Sequence, residues 1–170
     1  MKAFSLPRRM GIVSGLLLSS LAAAGLLPAA AQGAEIMLAE NGKSRCVVHA
    51  TPRVMADDLA VPQQDEAATR AEQDRRRLRE SVRDLALYLR KMSGVAVGIE
   101  TNAGPAGADV VILIGEVAQE HFGPVGIEVF GKQGYRVAVK KDRVGLYGES
   151  DLAASYAIYD VLDGLGCRWY

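Results

Sequence analysis

The chain has 170 residues, with 20 Lys and Arg balanced by 20 Asp and Glu, 49% hydrophobic side chains and 6% aromatic ones. Balanced charge leaves no basic footprint for nucleic acid or anionic lipid. The two cysteines form no CxxC pair and lack the spacing of a zinc site.

Residues 1–31 read as a signal peptide. Lys2, Arg8 and Arg9 precede the uncharged apolar run "GIVSGLLLSSLAAAGLL", and Ala29 and Ala31 supply small residues for cleavage after Ala31, with Gly33 as a second choice. An uncleaved anchor is the other reading, but the run is barely long enough to span a bilayer. Pro7 before the Arg8-Arg9 pair and Gly11 after it favour the general secretory route over a twin-arginine signal. Export to the periplasm or beyond is the expectation, with no membrane attachment after cleavage. Removing three basic and no acidic residues turns the 20-to-20 balance into a net charge of −3. About 139 residues remain, the size of one domain.

Residues 32–63 read as leading strands and an irregular connection. Two short strands flank Asn41-Gly42, a strong hairpin turn signal. The Pro-punctuated stretch "ATPRVMADDLAVPQQDEA" follows. Residues 64–170 read as an α/β domain. Leu78, Val82, Leu85, Leu89 and Met92 recur at helical spacing, and Gly94 is placed as the left-handed cap. In the arginine run 75–79, interleaved acids and the Glu72–Arg76 spacing predict a solvated, salt-bridged helix face rather than an anion site.

A strand is expected over 95–101, then a Gly- and Pro-broken loop. The continuous apolar run "DVVILIG" suits a central strand buried on both faces. "EVAQEHF" reads as a short helix. Alternation on both sides of Lys141-Asp142 predicts a hairpin over 134–150. Ser150 or Asp151 caps a second helix with the stripe Ala154, Ile158, Val161, Leu162 and Leu165, closed by Gly164 or Gly166. "CRWY" reads as the start of one more strand. The predicted fold is a two-layer α/β sandwich with two main helices against one mixed sheet.

No constellation of catalytic, cofactor or metal residues emerges. His49 and His121 lie in unrelated segments without HExxH spacing, and no GxSxG elbow exists. Glycoside hydrolysis needs two carboxyl groups across a sugar. Glu100, Glu116, Glu128, Asp142, Glu149, Asp151, Asp160 and Asp163 are available, but sequence pairs none of them. Cys46 and Cys167 leave two readings open, one long-range disulfide or two buried thiols.

Three segments in order, "LALYLRKMSGVAVGI", "VVILIGE" and "GYRVAVKKDRVGLYGESDLAASYAIYDVLDGLGCRWY", carry a family resemblance. Over residues 75–170 the chain resembles the N-terminal domain of α-glucuronidases and the second domain of β-N-acetylhexosaminidases. It is also similar to the domain preceding a predicted (β/α)8 barrel in large exported bacterial proteins. The resemblance implies a non-catalytic accessory domain of a carbohydrate-active enzyme, with the acid/base residues on a barrel beyond Tyr170. It makes the chain a fragment truncated at that junction, with Arg168, Trp169 and Tyr170 near the interdomain seam. The partner implied is that barrel, and through it a polysaccharide. A stand-alone carbohydrate- or protein-binding module is the alternative.

Overall fold

The structure, a computed structural model, describes residues 36–62, 64–102 and 107–168. The signal-peptide reading of residues 1–31, and Trp169 and Tyr170 of the expected seam, lie outside the described residues.

Strands β1 (Ala39–Glu40) and β2 (Lys43–Ser44) pair antiparallel as the predicted hairpin. Asn41 and Gly42 take φ of 50° and 73°, the left-handed pair a two-residue turn requires. After Arg45 the chain continues as β3 (Cys46–His49) and joins a second, larger sheet. That sheet also contains β4 (Gly98–Glu100), β5 (Val110–Ile114), β6 (Tyr135–Lys140) and β7 (Arg143–Gly148), in the order β4-β3-β5-β7-β6. The pairs β3–β4, β3–β5 and β5–β7 are parallel, and β6 runs antiparallel to β7 as the hairpin predicts. The leading segment therefore supplies a strand between two strands of the 64–170 region.

The helices are α1 (Pro52–Met55), α2 (Glu66–Ser93), α3 (Glu116–Phe122) and α4 (Asp151–Gly164). Asp65 caps α2 by accepting from the Ala68 N–H at 2.8 Å, and Gly94 ends it at φ 75°. Ser150 caps α4 through the Ala153 N–H at 3.1 Å. At its far end the Gly166 N–H bonds Asp163 O and the Cys167 N–H bonds Leu162 O, a Schellman closure centred on Gly166 at φ 99°.

Strand β5 is the middle strand and all five of its residues are buried. Val110, Ile112 and Ile114 join Val48, Val144 and Leu146 beneath the apolar stripes of α2 and α4. Val111 and Leu113 join Val47 and Tyr147 on the opposite face, where Ala118 and Phe122 of α3 pack. The result is a mixed α/β fold, a five-stranded mixed sheet with four helices, consistent with a two-layer sandwich in which the two long helices share one face.

Four expectations need correction. The strand expected over 95–101 is confined to Gly98–Glu100, and the connection expected to be irregular contains α1. Cys167 and Arg168 form no strand, because the Schellman turn folds them back onto the end of α4. The arginine run is not a wholly solvated face: Arg75 is 3% and Arg79 7% exposed, alongside Glu72 at 7%. The reason is α1. A four-residue helix cannot satisfy its own last carbonyls, and the Arg75 guanidinium reaches across to them, donating to the oxygens of Arg53, Val54, Ala56 and Asp57 at 2.9–3.2 Å. Arg79 adds donations to Ala56 O and the Asp58 carboxylate. The expected Glu72–Arg76 pair does form, at 3.2 Å.

Candidate functional site

In open α/β sheets ligands collect beyond the carboxyl ends of the parallel strands. Here the chain leaves β3 for α1, β5 for α3 and β7 for α4 at that edge. Arg53 lies between them. Its guanidinium donates bidentately to Asp151 at 2.8 and 2.9 Å and lies 3.6 Å from Glu116. The Asp151 hydrogen bonds stabilise the charged guanidinium and push its pKa up. Two carboxylates thus share one cation, and the three groups latch α1, α3 and α4 together. Glu116 and Asp151 are among the acids the sequence offers, whereas Arg53 carries no local signal, because the latch spans 98 residues.

His49 ends β3 at the same edge, its Nδ1 buried without a hydrogen-bond partner among the described residues. His121 lies in the last turn of α3 and meets the Phe122 ring edge-on at 4.8 Å. Among the described residues no three His, Cys, Asp or Glu side chains are grouped to hold a metal ion.

Other acids have structural contacts. Asp163 pairs with Arg168 at 2.6 Å, and Asp109 with Arg45 at 3.0 Å. Glu149 lies at the β7–α4 turn and accepts from the Gly134 N–H at 2.7 Å and the Val129 N–H at 3.2 Å. Ser150 Oγ donates to Lys132 O at 2.8 Å, and Arg136 to Pro124 O at 3.2 Å. These bonds tie down residues 123–134, the connection from α3 to β6. The fit at Gly134 is close: a Cβ there would come within 2.6 Å of Glu149 Oε2.

The tied loop carries its apolar side chains outward. Ile127 is 54% exposed, Val129 45% and Phe130 fully exposed. Scattered exposed apolar residues are ordinary, but three within four positions on a loop fastened at both ends make a presented surface. It adjoins β6, an edge strand of the sheet. Tyr135, at the start of β6, and Tyr156, on α4, are also partly exposed.

Of the expected seam residues, Arg168 curls back onto α4, donating to Asp163 O at 3.0 Å. Cys46 and Cys167 are free thiols packed on the same core cluster, Cys46 buried and Cys167 half-buried. Burial pushes both thiols above the usual range. No helix among the described residues is long and apolar enough to cross a membrane.

Fold and surface together define the class only as a mixed α/β domain with a fastened, outward-facing apolar loop. No protein-family model matches the sequence, and no curated protein matches it.

Proposed function

We propose that the chain is a non-catalytic accessory domain of an exported carbohydrate-active enzyme, a glycoside hydrolase, which works by packing against a catalytic barrel. The observation that carries this reading is the loop bearing Ile127, Val129 and Phe130, whose backbone is fixed by Glu149 while its apolar side chains face solvent. A rigid apolar surface lowers the entropic cost of docking a neighbour. The resemblance of residues 75–170 to domains that precede such barrels supplies the enzyme class. The arrangement at the strand ends supports a structural role, since Glu116 and Asp151 both bind Arg53.

The test is turnover of a panel of aryl glycosides by the purified chain, with none expected. Hydrolysis abolished by Glu116→Gln or Asp151→Asn would overturn the reading. The exposed Phe130 ring favours one alternative, a stand-alone binding module in which the ring stacks on a sugar face. Calorimetric titration with soluble glycans separates the two. Binding lost in Phe130→Ala selects the module; silence across the panel selects the accessory domain.

A further inference from the structure

Cys46 begins β3 near the amino end of the domain, and Cys167 follows α4 at its carboxyl end. They are the only cysteines in the chain. Both pack on the core cluster beneath α2 and α4, and one side chain is common to their surroundings. Cys167 Sγ lies 3.9 Å from Met92 Sδ. Met92 in turn lines a small apolar cavity together with Cys46, Leu89, Val97 and Leu165. Met92 therefore touches the Cys167 thiol and also lines the cavity beside Cys46, and an unbranched methionine side chain readily takes another rotamer.

The backbone sets how each thiol can move. Cys46 is held in register opposite Val110. Cys167 belongs to no helix or strand. It is the residue after the left-handed Gly166, tied by one N–H bond to Leu162 O at 3.0 Å, and its half-exposed side chain is open to a reagent in solvent.

We propose that Cys46 and Cys167 are an oxidisable pair that closes into an intramolecular disulfide when Met92 turns aside, clamping the end of α4 to β3. The oxidant is a small-molecule disulfide such as oxidised glutathione. The Cys167 thiolate attacks it, forming a mixed disulfide and releasing one glutathione thiolate. The Cys46 thiolate then displaces the second glutathione from Cys167. One glutathione disulfide becomes two thiols as the protein loses two hydrogens. The closed loop is long, so closure restricts the unfolded chain strongly.

In the cell this step rests on the proposed export, because a reducing compartment keeps thiols apart. Oxidation of the purified chain reads the geometry alone, so it can fail while the export reading stands. The experiment incubates the native chain with oxidised glutathione, blocks the remaining thiols and maps tryptic peptides without reduction. The expected product links the peptide 46–53 to the peptide 144–168, is lost in Cys167→Ser and in Cys46→Ser, and melts on the order of ten degrees above the reduced chain. Alkylation of both thiols after oxidation, a stable glutathione adduct confined to Cys167, or a Cys167–Cys167 dimer in place of the linked peptide would each overturn the proposal.

Discussion

Arg75 grips Glu72 through two hydrogen bonds of 2.7 Å, Nε to Oε2 and Nη2 to Oε1, one turn apart on α2 and both under the α1 connection. The same guanidinium holds four backbone carbonyls, and Glu72 also accepts from the Leu59 N–H at 3.0 Å. One ion pair thus fastens residues 53–59 to the long helix. Lysine cannot replace this fork, since it offers a single point charge.

Arg75→Ala takes its donor from the Arg53, Val54 and Asp57 carbonyls and removes the shortest pairing of Glu72, which keeps Arg76 and the Leu59 N–H. The expected cost is about 3 kcal/mol, read as a lower urea midpoint with an unchanged slope. Arg75→Lys recovers less than half of it. A variant of wild-type stability would show that the carbonyls are satisfied without the guanidinium.

Acid should weaken the same fastening. The Arg75 hydrogen bonds, with the Leu59 N–H second, hold the Glu72 carboxyl down to about 2, below its ordinary 4.5. A depressed folded-state pKa means that the unfolded chain binds the proton first. This contribution is therefore complete above about pH 4.5 and lost as pH falls towards 2. Urea midpoints between pH 6 and pH 2 should fall more steeply in the wild type than in Glu72→Gln; parallel curves would contradict the assignment.

Gly148 lies where β7 meets the start of α4. A Cβ there would come within 2.5 Å of Ala153 Cβ and 2.7 Å of the Ala153 carbonyl carbon. Backbone cannot swing away as a side chain can, so Gly148→Ala should cost about 3 kcal/mol or prevent folding. Gly145→Ala meets only side-chain atoms, chiefly the Phe122 ring at 2.5 Å, and should cost less. Thermal melts of the two variants decide the order.

Phe130 is fully exposed, so Phe130→Ser should change stability by no more than about 0.5 kcal/mol while lowering binding of an apolar fluorescent dye. Glu149→Ala should instead speed hydrogen exchange at the Val129 and Gly134 amides, whose acceptor it removes. Unchanged exchange at both amides would mean that Glu149 does not hold the loop.

The local elements were legible because each carries a local signal. Asn41-Gly42, the α2 stripe with Gly94, the run ending at Ile114, the alternation around Lys141-Asp142 and the cap at Ser150 all lie where the residue pattern places them. Periodicity and capping act over a few residues, and the chain states them directly.

Contacts between distant segments were not legible. Arg75 and Arg79 look like surface residues because their partners are main-chain carbonyls 18 to 23 residues earlier, and a carbonyl has no sequence signature. The Arg53 latch and the exposure of Phe130 share that cause, since each depends on which elements the sheet order brings together. Sequence alone determined the two long helices with their caps, the central strand and the two hairpins, through short-range torsional and hydrophobic periodicity, while it missed α1 and overran β4. Only the tertiary structure decided which charges are buried and which apolar side chains are left outside, because burial is a property of neighbours that the fold assembles.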